Sequence, residues 1–219
     1  MKPSFSDIDL YPVISTSGEN PEEPVRILRE LLKTDIKVVQ LREKKQTKTE
    51  RARLAEVFRK MTLAKNVLLI INDDIDIALD SSADGVHLGN DDMPLKEARK
   101  LAPNLIIGKS CHSVEEALAA EAEGASYINI GPIFKTPTKE GMNPVGLDLI
   151  SEVKKITSLP FTVMGGIDKN NLKDVVSAGA KRVAMVRGFI GKDIPKKTAE
   201  LYQVYRTALK EYLLKGETS

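Results

Sequence analysis

Tyr127-Ile128-Asn129-Ile130 runs directly into Gly131-Pro132-Ile133-Phe134-Lys135-Thr136-Pro137-Thr138-Lys139-Glu140-Gly141. The first four residues form a short apolar run of strand type, and glycine with proline ends it. The loop beyond offers two hydroxyls and two ammonium groups and has almost nothing to bury. Such a loop, opening from a strand end, suits a phosphate: hydroxyls donate to its oxygens and lysines neutralise its charge. An ordinary solvated loop has the same composition. The two readings are separated by company, because other strands end in similar polar clusters.

Working outward, the strand-then-helix unit recurs on both sides. Apolar runs at 11–16, 37–44, 67–71, 85–89 and 105–112 precede the loop, and runs at 161–166 and 182–188 follow it. Helical spacing fills the gaps. Val25, Leu28, Leu31 and Leu32 share a face, as do Leu54, Val57, Phe58 and Met61 behind a Thr47/Glu50 capping box. Ile75, Ala78 and Leu79 mark a short helix, and Pro94 suits the first turn of another. Ser113 and Glu116 form a second box before a helix that ends near Gly124. A helix spans 148–157, Asp168 caps one that stops at Gly179, and Leu201, Val204, Tyr205, Ala208, Leu209 and Tyr212 stripe the last.

Eight Val/Ile-rich strands alternating with eight helices predict an α/β chain folded as a single (β/α)8 TIM barrel. An open doubly wound sheet is the alternative, but no GxGxxG follows the first strand. No shift of composition marks a boundary. Residues 1–219 therefore read as one domain, with 1–10 a lead-in and 215–219 a frayed tail.

A hydrophobic share of 42% with 29% charged residues is that of a globular protein. A net charge of +2 argues against nucleic-acid or membrane partners, and 5% aromatic content with no Trp argues against a stacking surface for single strands. The lone Cys111 has no partner for a disulfide, and neither a leader nor a bilayer-length apolar run is visible, so a cytoplasmic protein is expected.

In such a barrel the site lies at the C-terminal strand ends. The second strand delivers Gln40, Arg42 and Lys44 on one side, with Val39, Leu41 and Glu43 on the other. Arg42 with Lys44 makes a polyanion clamp. The third delivers Asn72 and Asp73, the fourth Asn90, Asp91 and Asp92. Carboxylates from neighbouring strand ends can hold one hard cation such as Mg²⁺. Asp74, Asp91 and Asp92 equally suit helix N-caps. The fifth delivers Ser110 and His112, while Cys111 faces the opposite way and packs. Two histidines are too few for a histidine-based zinc site. Gly165-Gly166 and Arg187-Gly188 end the seventh and eighth strands, where backbone N–H groups of such barrels bind phosphate. Two anion sites and no nucleophile suggest a transfer in which pyrophosphate leaves.

These residues resemble the thiamine phosphate synthase family, also called thiamine-phosphate pyrophosphorylase. The matching words are Gln40-Leu41-Arg42-Glu43-Lys44, Ile71-Asn72-Asp73, Asp84-Gly85-Val86-His87-Leu88-Gly89, Asp91-Asp92, Gly131-Pro132-Ile133-Phe134, Thr136-Pro137-Thr138-Lys139 and Gly165-Gly166-Ile167, all in the family's order. The resemblance implies that hydroxymethylpyrimidine diphosphate loses pyrophosphate through a pyrimidine methylene cation. The nitrogen of hydroxyethylthiazole phosphate then attacks, giving thiamine phosphate. It implies one Mg²⁺ per site, held by Asp73 and Asp92. Gln40, Leu41, Arg42, Glu43, Lys44, Asn72, Ser110 and Lys139 would meet the pyrimidine diphosphate, with Arg42, Lys44, Ser110 and Lys139 catalytic. Thr136, Pro137 and Thr138 would meet the thiazole phosphate, and Gly166 with the backbone of Val186 and Arg187 its phosphoryl group. One departure is Arg187, where the family often has serine. The implied partners are small-molecule substrates, and self-association as a homo-oligomer is left open. The rivals are a thiazole tautomerase of the same barrel family, using His112, and a non-catalytic thiazole-phosphate-binding regulator. The diphosphate clamp and the two aspartates argue against both.

Overall fold

The computed structural model describes residues 3–136 and 141–216. Its strands are β1 (Leu10–Ile14), β2 (Val38–Leu41), β3 (Leu68–Asn72), β4 (Gly85–Leu88), β5 (Ile106–Cys111), β6 (Tyr127–Ile130), β7 (Phe161–Val163) and β8 (Val183–Met185). The helices between and after them are α1 (Glu23–Leu31), α2 (Lys48–Leu63), α3 (Ile75–Asp80), α4 (Leu95–Leu101), α5 (Val114–Ala122), α6 (Asp148–Ile156), α7 (Leu172–Ser177) and α8 (Ile194–Gly216). The strands pair in parallel in chain order and β8 returns to β1, so the sheet closes as the alternation predicts.

Alternation along each strand produces two cores. One face packs outward on the helices, as with Val39, Leu41, Leu69, Ile71, Val86 and Leu88. The other fills the barrel with Tyr11, Val13, Val38, Leu68, Ile70, Tyr127 and Ala184. Side chains of period two reach opposite faces, so every strand is buried on both.

The residues expected as a lead-in close the bottom of the barrel. A 3-10 turn, Phe5–Asp7, is capped by Ser4, whose hydroxyl accepts from Ser6 N–H, and Asp7 reaches back to Ser4 N–H. Phe5 stacks on Tyr127 with ring centroids 3.8 Å apart. Arg182 and Lys37 donate to the Ser6 and Asp7 carbonyls at 2.7 and 2.8 Å and pin the turn there. The middle of α8 reaches the same end, where Tyr205 donates to the Lys181 carbonyl. Lys215 belongs to α8, and 217–219 lie outside the described residues.

Several boundaries differ from the pattern. β2, β7 and β8 stop three residues short of the predicted ends; Arg42 and Met164 still donate across to the Ile14 and Ile130 carbonyls at 2.9 Å, and the residues beyond them build the mouth. The Thr47/Glu50 box is complete. The Ser113 box is half made: Ser113 accepts from Glu116 N–H, but the Glu116 carboxylate turns to His112. Asn171 rather than Asp168 occupies the N-cap of α7, and Pro94 that of α4.

Candidate active site

The C-terminal strand ends surround a cavity of about 520 Å³. Gln40, Arg42 and Lys44 line it, as spacing by two requires. Leu41 and Glu43, expected beside the substrate, do not. Leu41 packs in the outer core, and the Glu43 carboxylate, 1% exposed, accepts from Thr16 N–H and Oγ1 at 2.8 and 3.0 Å. Those bonds hold the β1 loop against β2 and keep Arg42 aimed inward. Burial lowers the Arg42 pKa, and the charges of Asp73 and Glu43 oppose the shift.

Asn72 ends β3 at the cavity, and Asp73 beyond it takes a left-handed backbone, φ 65°. That conformation is sparsely populated for a non-glycine residue and is held here by neighbours. Asp73 N–H donates to the His87 carbonyl and Asp74 N–H to the Asn72 carbonyl, both at 2.8 Å. The Asp73 carboxylate is 3.0 Å from Lys44 Nζ. Its pKa is raised, first by burial and next by the Asp92 carboxyl beside it, against the pull of Lys44. Asp92 is fixed by a 2.6 Å bond from Gly89 N–H. Two carboxylates from adjacent strand ends suit a hard cation that takes its remaining ligands from substrate oxygens and water. Asp74 is committed elsewhere, to Arg51 at 2.7 and 3.1 Å. No group of three or more His, Cys, Asp or Glu placed to hold a metal ion occurs among the described residues.

Across the mouth, Gly165 and Gly166 follow β7. The Met164, Gly165 and Gly166 carbonyls accept from Ile133 N–H, Phe134 N–H and Asn171 Nδ2 at 2.9, 3.0 and 2.9 Å. In a trans peptide the N–H points opposite to the carbonyl. The next three N–H groups therefore face away from the scaffold, at residues that line the cavity. Gly166 has φ 65°, and a Cβ there would lie 2.6 Å from the Lys135 carbonyl, so the turn needs glycine. Val186 and the 3-10 turn Arg187–Phe189 complete this wall. Arg187 is exposed on the rim, and its carbonyl is tied to Lys197 at 3.0 Å. Thr136 reaches the cavity, whereas Pro137, Thr138 and Lys139 lie outside the described residues.

Ser110 lines the floor. Cys111 faces away, fully buried, with its thiol pushed up to about 12 by burial. His112 stands at the rim with N–H and Nδ1 both on Glu116, at 2.7 and 2.9 Å, while Nε2 has no partner among the described residues. Tyr11, His87 and Asn129 also line the cavity, although strand-end reading passed over them. Asn129 accepts from Thr162 at 2.8 Å. A polar residue inside an otherwise apolar strand run was the available signal.

The sequence matches the family model described as thiamine monophosphate synthase over residues 10–189. A thiamine-phosphate synthase of Halalkalibacterium halodurans is 39% identical over 198 residues, 90% of this chain and 94% of that protein. One from Gloeobacter violaceus is 42% identical over 177 residues, 80% of this chain; the chain spans about half, 52%, of that longer protein. The solved thiamine phosphate pyrophosphorylase of Pyrococcus furiosus superposes with a TM-score of 0.83 at 33% identity, covering 92% of this chain and 97% of that one.

Proposed function

The chain belongs to the thiamine monophosphate synthase family, and on that premise we propose how its barrel mouth carries the reaction. The enzyme is a transferase. The methylene of hydroxymethylpyrimidine diphosphate exchanges its bond to pyrophosphate for one to the nitrogen of hydroxyethylthiazole phosphate, giving thiamine phosphate. The supporting observation is that one cavity is lined by Arg42, Lys44 and Asn72 at the ends of β2 and β3 and by Gly165, Gly166, Val186 and Arg187 beyond β7 and β8.

Arg42 and Lys44 take the diphosphate, and Lys139 is assigned to the same group by its place in the family word. They stabilise the charge that grows on pyrophosphate as it leaves. Gln40 and Ser110 hold the pyrimidine. The backbone at Gly166, Val186 and Arg187 holds the thiazole phosphate, and Thr136, Pro137 and Thr138 are assigned to the same substrate. This sets the nitrogen facing the methylene from the side opposite the leaving group. No side chain need act as nucleophile, so catalysis rests on positioning and preorganised charge. Asp73 and Asp92 would hold one Mg²⁺ per site, which supplies further neutralisation of the diphosphate. The protein works on small molecules as one barrel domain in the cytoplasm.

The test is an assay with both substrates and Mg²⁺, watching for thiamine phosphate and pyrophosphate, with EDTA as control. Wild type should form product and EDTA should stop it. Asp73→Asn and Arg42→Ala should each lower kcat/KM by about 100-fold or more, the scale for losing a preorganised charge contact. Unchanged turnover in either variant would overturn the assignment.

A further inference from the structure

Beneath the mouth a chain of hydrogen bonds crosses the barrel interior. Gln40 Nε2 donates to Tyr11 Oη at 2.8 Å, and the Tyr11 and Tyr127 hydroxyls are 3.3 Å apart. Tyr127 Oη is 2.9 Å from His87 Nδ1, and His87 Nε2 is 3.0 Å from Ser110 Oγ. Every member is buried, from 0% exposed at Tyr127 to 7% at His87 and Ser110. Both ends of the chain, Gln40 and Ser110, open on the cavity. They are the two groups assigned above to the pyrimidine.

The chain is built in. Tyr127 lies across β5 at Gly108, where a Cβ would sit 2.1 to 2.4 Å from its ring and hydroxyl. Burial raises the pKa of both tyrosines, so each keeps its single proton. Phenylalanine would fill the same space without the burden of a buried hydroxyl, so the hydroxyls require a use.

Proton counting gives that use. The Gln40 amide donates to Tyr11, and the arrangement that leaves no buried hydroxyl proton without an acceptor sends the Tyr11 proton to Tyr127 and the Tyr127 proton to His87 Nδ1. An imidazole that accepts at Nδ1 carries its proton on Nε2 and donates to Ser110 Oγ. The Ser110 proton is then left for the mouth, and Gln40 Oε1 is left as an acceptor there. Reversing the direction needs a flipped Gln40 amide and four turned protons, and it exchanges the donor and acceptor ends.

We propose that Tyr11, Tyr127 and His87 are positioning residues that fix a donor at Ser110 and an acceptor at Gln40, and so select the hydrogen-bonding edge of the pyrimidine. The proposal rests on the assignment of this floor to the pyrimidine substrate.

The first test is the tautomer. The chain has only two histidines, so ¹⁵N-histidine labelling with a long-range ¹⁵N–¹H spectrum resolves them, and a His112→Gln variant assigns the peaks. His87 should carry its proton on Nε2 in the wild type and lose that preference in Tyr127→Phe. A proton on Nδ1 in the wild type overturns the proposal. The second test is kinetic. Tyr127→Phe should raise KM for the pyrimidine diphosphate about tenfold and leave KM for the thiazole phosphate within about twofold. Combined with Ser110→Ala, its effect should fall well short of multiplying with that of the single variant. Equal effects on both substrates, or full multiplication, overturn it. Tyr11→Phe breaks the chain one link away and should repeat the signature if Tyr127→Phe does not fold. A wild type with the Nε2 tautomer that makes no thiamine phosphate sinks the substrate assignment and leaves the hydrogen-bond direction intact.

Discussion

Glu43 shows what single residues settle. Alternation along the strand turned it and Leu41 away from the mouth, while the family word grouped them with the substrate contacts; the structure follows the alternation. Burial raises the Glu43 pKa above its usual 4.5, against bonds from Thr16 and the charge of Arg42. The folded state thus binds a proton that the unfolded chain has already released. Folding stability therefore falls as pH climbs from the unfolded value through the folded one, then stays lower. Glu43→Gln keeps a donor–acceptor pair for Thr16 and removes that loss. Urea unfolding should show the variant gaining on wild type through the mildly acid range, with a constant difference above it; a pH-independent difference would count against this account. Cys111 gives a simpler expectation. Fully buried and pushed up to about 12, it should resist a thiol reagent at pH 8 until denaturant is added.

At the scale of elements, strands and helices were legible because apolar runs and helical stripes are local signals. The strand ends were not, since where pairing stops depends on the neighbouring strand and not on the local apolar run. The anion walls were legible as polar residues just beyond strands. The floor was hidden, because Tyr127 opposite Gly108 is a fit between strands that neither sequence shows alone. Joins between elements were equally invisible. Arg99 on α4 donates to the carbonyls of Gly124, Pro103 and Leu105 and to Ser126 Oγ, at 2.8 to 3.0 Å, tying α4 to the turn before β6. Arg99→Met keeps the stem and strips these acceptors of their donor. The loss should be about 3 kcal/mol, or roughly 6–12 °C in Tm for a protein of this size, with the condensation rate at 25 °C little changed. A Tm within a degree of wild type would show the contacts to be idle.

At the scale of the molecule, the barrel has a reacting pole and a closed pole. Phe5 seals the latter under the hydrogen-bonded floor. Phe5→Ala should cost about 3–5 kcal/mol and speed hydrogen exchange of the barrel-lining amides from below. The N-terminal turn and the middle of α8 both sit at this closed pole, since strands run toward the mouth and helices return from it. That makes the fold a socket with its wiring on one side. A partner that met the barrel at that pole would leave the opening unshaded. By the same logic, tethering the enzyme to a solid support through the Phe5–Asp7 turn should leave substrates free to enter.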